Sequence, residues 1–135
     1  MTSSCSSSQL KSWSTQSKSE EKPIFRVYHL TKSRHFRYLL NKYSNRLIVV
    51  EFSATWCRPC KQIYPYFEEL STQFRKVVFV YINVDQFDDL AEQEHVRSLP
   101  TFKFYLSNSL VKEFSGANRT KLLRYITKYN ERAMR

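Results

Sequence analysis

The chain has 135 residues, enough for one domain with a buried core and too few for two. It carries 22 Lys and Arg against 12 Asp and Glu, a formal net charge of +10. Its three cysteines are an odd count for a secreted disulfide scaffold, and no apolar run is long enough for a signal or membrane segment. We therefore expect a protein of the reducing cytoplasm, with entry into the nucleus left open, and neither a secreted scaffold nor a membrane protein.

The positive charge belongs mainly to the folded part, since residues 1–23 contain only three lysines and two glutamates. Such a charge attracts acidic protein surfaces, nucleic acid or anionic lipid. No nucleic-acid motif accompanies it, so the favoured interpretation is a soluble, basic domain with no nucleic-acid or membrane partner. A basic RNA-binding domain stays as a function class that only the charge supports.

Composition and periodicity divide the chain into an extension and one domain. Residues 1–22 are rich in Ser and poor in apolar residues, which is typical of disorder, and the domain is predicted over 23–135. Hydrophobic periodicity predicts five strands and four helices in that domain. In chain order they are a strand over 24–28, a helix over 32–43 with Thr31 as N-cap, a strand over 47–52, a helix from the cysteine pair to about 75 with a kink at Pro65, a strand over 77–84, a short helix over 86–94, strands over 101–106 and 110–114, and a helix from the N-cap Asn118 to about 131.

The pattern also predicts how these elements pack. The run over 47–52 is apolar at all but one position, which favours a central strand covered on both faces. Gly116 is the sole glycine, so the last two strands must turn at Ser107-Asn108-Ser109 without one. The apolar residues predicted to face inward from the last helix are Leu122, Leu123, Ile126 and Tyr129. Strands that alternate with helices and end in a hairpin predict an α/β sandwich with a mixed sheet.

The segment Trp56-Cys57-Arg58-Pro59-Cys60 carries the chemistry. Disulfide exchange needs a thiolate, an accessible sulfur and a second thiol close enough to resolve a mixed disulfide. A C-x-x-C at a helix start meets these needs, because the free backbone N–H groups and the helix dipole favour the anion of the first cysteine. Pro59 suits the first helical turn. We expect Cys57 to be the exposed nucleophile and Cys60 the shielded resolving thiol, joined as a redox-active disulfide when oxidised.

A zinc site is the alternative use of a C-x-x-C pair, which forms half of many such sites. The second half is missing here, since Cys5 stands alone and the three histidines are scattered. We therefore expect no metal.

Four separated segments resemble the thioredoxin family, most closely the vertebrate cytosolic thioredoxins. They are Phe52–Lys61 with its cysteine pair, Pro65, Leu99-Pro100-Thr101-Phe102, and Glu113–Asn118. The resemblance covers about residues 24–132. It implies the thioredoxin fold, a three-layer α/β/α sandwich with a central mixed sheet of about five strands and four helices.

The resemblance also assigns roles by position. Pro100 corresponds to a cis-proline that faces the two sulfurs and shapes a peptide-binding groove, the alternative being an ordinary turn proline. Trp56 corresponds to the residue that shields the dithiol and contacts substrate, the alternative being a core aromatic, and Gly116 to a further substrate-binding position. Glu51 stands where the family usually has a buried aspartate that exchanges a proton with the resolving cysteine. The alternative for Glu51 is a carboxylate that reaches solvent at a strand edge.

Arg58 departs from the family, which usually has glycine between the cysteines. A cation beside Cys57 should favour its thiolate and make the disulfide a stronger oxidant, with Pro59 as a second modulating residue. Alternatively, Arg58 points into water and is screened. The same side chain could also impair docking of thioredoxin reductase.

These observations predict an enzyme, a thiol–disulfide oxidoreductase that reduces protein disulfides by Cys57 attack and Cys60 resolution. We expect a monomer without bound cofactor that receives reducing equivalents from NADPH through thioredoxin reductase and acts on disulfide-containing protein substrates. The alternative is a redox-sensitive protein-interaction module with weak reductase activity.

Overall fold

A computed structural model of the protein describes residues 25–135, which form one five-stranded mixed sheet between helices. The strands lie in the order β1-β3-β2-β4-β5. β3 pairs in parallel with β1 and β2, and β4 pairs antiparallel with β2 and β5. The strand bounds are β1 Val27–His29, β2 Ile48–Ser53, β3 Val78–Asn83, β4 Thr101–Leu106 and β5 Ser109–Ser115. The predicted extension over 1–22, including Cys5, lies outside the described residues.

Four helices connect and cover the strands. They are α1 Arg34–Lys42, α2 Arg58–Gln73, α3 Asp88–Gln93 and α4 Arg119–Ala133. α2 continues through Pro65 without a break. The N-cap predicted for α4 is confirmed, because the Asn118 side chain accepts a hydrogen bond from the Lys121 N–H. The N-cap predicted for α1 is wrong, because the helix begins two residues later, after Ser33.

The helices form two layers, one on each face of the sheet. α1 and α3 pack through Phe36, Leu40 and Leu90 on one face, around alternate residues of the central strands. α2 and α4 pack through Phe67 and Ile126 on the other face. All six residues of β2 are buried, as the apolar run predicted. The three-layer α/β/α sandwich is therefore confirmed.

The β4–β5 hairpin turns without glycine, as predicted. Its loop is only two residues long, since Leu106 pairs with Ser109. Ser107 and Asn108 both take positive φ angles, 51° and 68°, the backbone pattern of the two-residue loop that matches strand twist. One inward prediction for α4 is wrong: Leu123 is 39% exposed, because the buried stripe follows Leu122 and Ile126.

Candidate functional site

The cysteine pair lies where β2 passes into α2. Cys57 is the N-cap of α2, and its Sγ accepts a hydrogen bond from the Cys60 N–H at 3.3 Å. Pro59 occupies the first turn, where its missing N–H costs no helical hydrogen bond. Cys57 and Cys60 are joined as a disulfide, with 5.3 Å between their Cα atoms. The helix start therefore presents its free N–H groups to the first sulfur, which favours a thiolate there when the pair is reduced.

The two cysteines border different spaces. Cys57 lines an open groove of about 700 Å³ together with Trp56, Pro59 and Leu99, whereas Cys60 lines a second cavity behind the disulfide. Both residues are almost fully buried, at 4% and 1% exposure, so the prediction that Cys57 is exposed is wrong. The first cysteine is thus the one that faces the groove.

Trp56 lines the groove together with Cys57. Its side chain is 68% exposed, so the interpretation as a core aromatic is wrong. Its Nε1–H donates a hydrogen bond to Asp85 Oδ2 at 2.7 Å, which fixes the ring beside Cys57. Arg58 is exposed next to the pair, as is Pro59.

Pro100 and Gly116, the other two residues predicted to bind substrate, lie next to each other. The Leu99–Pro100 peptide bond is cis, so Pro100 is not an ordinary turn proline. Gly116 donates its N–H to the Pro100 carbonyl at 2.8 Å and has a φ of 102°, in the left-handed region that favours glycine. Leu99 packs against both cysteines, which joins this loop to the disulfide.

Glu51 lies in β2 with its side chain fully buried. Neither of its carboxylate oxygens has a hydrogen-bond partner among residues 25–135. Burial raises the pKa of Glu51 from 4.5 to about 8, an effect that the nearby Ser53 hydroxyl offsets only in part. The alternative of a carboxylate that reaches solvent is therefore wrong. At neutral pH this side chain is mostly protonated.

The cavity behind the disulfide contains three residues that the sequence analysis did not assign to the site. His29, Tyr64 and Tyr81 line it beside Cys60. Sequence spacing could have identified Tyr64, because it lies four residues after Cys60 and therefore on the same face of α2. His29 and Tyr81 come from β1 and β3, and their proximity depends on strand pairing.

Metal-ligand groups and membrane-spanning helices are both absent from the described residues. Within residues 25–135, no group of three or more His, Cys, Asp or Glu side chains is arranged to hold a metal ion. None of the helices in the same range is both long enough and apolar enough to cross a bilayer.

Comparisons with known proteins agree with this geometry. The family model described as Thioredoxin matches residues 26–128. The chain belongs to the thioredoxin family. It is 49% identical over 94 residues to the thioredoxin of Ophiophagus hannah, a match that spans 70% of this chain and 90% of that protein. It is 45% identical over 96 residues to the thioredoxin of Homo sapiens, across 71% of this chain and 91% of that one.

Solved thioredoxins have the same fold. The crystal structure of thioredoxin NaTrxh from Nicotiana alata superposes with a TM-score of 0.77 at 33% identity, over 82% of this chain and 98% of that one. The X-ray structure of Fasciola hepatica thioredoxin gives 0.73 at 40% identity, over 75% and 97%. With its cysteine pair joined at the start of α2, the chain is a thiol–disulfide oxidoreductase of the thioredoxin type.

Proposed function

We propose that the chain reduces disulfides in protein substrates, with Cys57 as the attacking thiolate and Cys60 as the resolving thiol. One observation carries this assignment: Cys57 is the N-cap of α2 and lines the open groove, whereas Cys60 is turned to the cavity behind. A substrate sulfur entering the groove would meet Cys57 first.

The reaction takes two steps. The Cys57 thiolate attacks one substrate sulfur, a mixed disulfide forms, and the other substrate sulfur leaves as a thiolate that takes a proton. Cys60 then loses its proton, its thiolate attacks the sulfur of Cys57, and the second substrate thiolate leaves and is protonated. Two electrons pass to the substrate, and the chain is left with the Cys57–Cys60 disulfide.

Glu51 is the proposed proton partner of Cys60. As a carboxylate it accepts the thiol proton in the second step, and as a carboxylic acid it returns a proton when the disulfide is reduced again. A pKa of about 8 supports this role, because it lies close to the ordinary thiol value of about 8.5 and makes transfer nearly balanced in both directions.

The groove residues would bind the substrate around the reacting sulfurs. The exposed ring of Trp56 offers apolar area, and the loop at Pro100, joined to Gly116 by a backbone hydrogen bond, would contact the substrate beside the sulfurs. Asp88 and Glu92 line the far wall of the groove with Arg97. This mixed lining suits an extended peptide more than a small molecule.

The proposal includes the source of electrons and the cellular compartment. We expect no bound cofactor, with electrons passed from NADPH through thioredoxin reductase, and a monomer that acts in the cytoplasm and has access to the nucleus. The domain is proposed to span 23–135, after the Ser-rich segment over 1–22. Arg58 adds an exposed cation beside Cys57, and we propose that it weakens docking of the reductase.

An insulin-reduction assay tests the central assignment. Supplied with dithiothreitol, the chain should precipitate reduced insulin, whereas Cys57→Ser and Cys60→Ser should show no rate above dithiothreitol alone. Cys5→Ser is the matched control and should behave like the unmodified chain. Unchanged activity in Cys57→Ser would overturn the assignment. Failure of the unmodified chain to reduce insulin would favour a redox-sensitive interaction module.

A second assay, with NADPH and thioredoxin reductase in place of dithiothreitol, tests the electron donor.

The effect of Arg58 is separable from that activity. Arg58→Gly should lower the reduction potential of the pair, measured as its equilibrium with glutathione, because the thiolate of Cys57 loses a nearby cation. Arg75→Gly removes one charge just beyond the opposite end of α2, roughly 24 Å away, and should leave the potential unchanged. Equal potentials for Arg58→Gly and the unmodified chain would mean that Arg58 is screened by water.

A further inference from the structure

The proposed role of Glu51 requires that its buried carboxyl exchange protons with solvent. Each cycle of oxidation and reduction moves a proton onto Glu51 and off it again. The side chain is fully buried, however, and has no hydrogen-bond partner among residues 25–135. Because Glu51 is mostly protonated at neutral pH, it must release a proton to water before it can accept that of Cys60, and this release requires a route from the buried carboxyl to solvent.

The sheet register forms a row of side chains that leads from Glu51 to solvent. Glu51 in β2 pairs with Tyr81 in β3, and Tyr81 pairs with His29 in β1. Partners in parallel strands point to the same face, here the face covered by α2. β1 is the edge of the sheet and His29 is exposed. The row thus spans two strand spacings, about 10 Å, from the buried carboxyl to the surface.

Tyr64 of α2 lies across this row. Its hydroxyl is hydrogen-bonded to His29 Nε2 at 2.7 Å, and its ring meets that of Tyr81 edge-on with centroids 5.1 Å apart. The His29 ring also lies 4.8 Å from that of Tyr81. The contacts hold the Tyr64 hydroxyl and the imidazole together above Tyr81.

A cavity of about 580 Å³ joins these residues to the resolving cysteine. His29, Tyr64, Tyr81 and Cys60 all line it, together with Ser53, which follows Glu51 on the same face of β2. Its volume is sufficient for several water molecules, and the Tyr64 and Ser53 hydroxyls and the His29 imidazole on its wall offer them partners. Glu51 does not itself line the cavity, but the Ser53 hydroxyl beside its carboxyl does, so water between the Tyr64 and Ser53 hydroxyls would complete the link to Glu51.

We propose that Tyr64 and His29 form the proton route between Glu51 and solvent, a role that rests on the proposed proton transfer between Glu51 and Cys60. Each group is suited to a relay. A hydroxyl donates and accepts at one oxygen, and an imidazole takes a proton at one nitrogen while releasing one at the other.

When the Cys57–Cys60 disulfide is broken, Glu51 gives its proton to the Cys60 thiolate. The resulting carboxylate takes a proton through cavity water from the Tyr64 hydroxyl, which receives one from His29 Nε2, and His29 regains it from solvent at Nδ1. Oxidation runs the sequence in reverse. Burial raises the pKa of Tyr64, so the phenol passes protons as a neutral hydroxyl. The other charged groups beside the route are Lys61 and Glu68, both on α2.

Stopped-flow kinetics of the whole chain test the route. Trp56 beside the disulfide provides the fluorescence signal for reduction by dithiothreitol in H₂O and D₂O. Tyr64→Phe and His29→Gln should each slow the proton-coupled step about tenfold and enlarge the solvent isotope effect. The double variant should be no slower than the slower single variant, because both residues act in one path. Free imidazole in the buffer should restore the rate of His29→Gln.

The chain offers a matched control in a second Tyr–His pair. Tyr28 Oη and His35 Nδ1 lie 3.2 Å apart, and neither residue lines the cavity. Tyr28→Phe and His35→Gln should keep the unmodified rate and isotope effect. If Glu51→Gln is slow while Tyr64→Phe and His29→Gln react like the unmodified chain, the route is wrong and the role of Glu51 stands. If Glu51→Gln itself reacts at the unmodified rate, the proposed proton transfer fails and the route fails with it.

Discussion

Glu51 and Lys103 are the two charged residues buried in the described part of the chain, and they lie on opposite faces of neighbouring central strands. Lys103 is 3% exposed, and its Nζ lies 2.9 Å from Glu113 Oε1, a carboxylate that itself reaches solvent. Glu51 has no such partner. A buried charge that is paired can serve the structure alone, whereas a buried carboxyl without a partner is kept neutral by burial, lowers stability when it ionises, and persists where chemistry uses it.

The pairing of Lys103 depends on a bulge in the hairpin. The two-residue loop sets Leu106 opposite Ser109, and the same register continued along the strands would place Lys103 opposite Lys112. The register shifts by one residue between Phe104 and Tyr105, so Lys103 faces Glu113 instead. One inserted residue thus replaces a like-charge contact by an ion pair.

The largest expected effect is the pH dependence that Glu51 gives to stability. Its pKa is about 8 in the folded chain and 4.5 as its ordinary value, so between these pH values the folded state holds a proton that the unfolded state releases. Stability should therefore fall as pH rises through this window, by about 5 kcal/mol in all. Urea unfolding of the oxidised chain from pH 4.5 to pH 9 measures it.

Glu51→Gln should remove this dependence and be more stable than the unmodified chain at pH 8, because no charge is buried. Glu69→Gln, an exposed position on α2, is the control and should follow the unmodified curve. Parallel curves for Glu51→Gln and the unmodified chain would show that Glu51 is not the buried group that titrates.

The next effect concerns the paired charge. Glu113→Ala leaves Lys103 buried without a carboxylate and should destabilise the chain by about 3 kcal/mol, measured by urea unfolding at pH 7. Lys103→Met leaves only a half-exposed carboxylate and should change stability by about 1 kcal/mol or less. The rate of disulfide exchange should stay the same in both. If Glu113→Ala slowed exchange, the division between a structural and a chemical buried charge would fail.

The smallest effect involves a neutral buried group. The Tyr105 hydroxyl donates to Glu94 Oε1 at 2.7 Å on the same face as Lys103. Tyr105→Phe should cost about 1 kcal/mol in thermal or urea unfolding, since the partner keeps access to water. Tyr38→Phe, at a position 56% exposed, should cost nothing measurable. A loss from Tyr105→Phe as large as that from Glu113→Ala would contradict the ranking.

Local patterns were sufficient to predict most of the fold. The apolar run of β2, the helical spacing in α2 and the cap at Asn118 each depend on neighbours within a few residues. The same holds for the cysteine pair at the helix start. Leu123 was predicted wrongly because periodicity marks a helix face without fixing the width of its buried stripe, and the start of α1 shifted because Thr31 and Ser33 are both able to precede a helix.

The remaining features depend on register between distant strands. His29, Tyr81 and Glu51 come together only because β1, β3 and β2 are neighbours in that order. The pairing of Lys103 with Glu113 requires a bulge, and no residue of the turn indicates that bulge in the sequence. Spacing along the sequence does not encode either arrangement, since a shift of one residue moves every side chain to the other face.

Time-resolved infrared difference spectra recorded while the disulfide is reduced test the role of Glu51 most directly, because they detect the protonation of a single carboxyl group when Glu51→Gln is the reference. We predict a protonated-carboxyl band in the oxidised chain at pH 7 that titrates near pH 8, is lost transiently as the disulfide is reduced, returns as the carboxylate is reprotonated, and is absent in Glu51→Gln. An ionised Glu51 at pH 7, or a band that stays unchanged throughout the reduction, would contradict the claim that Glu51 exchanges its proton with Cys60.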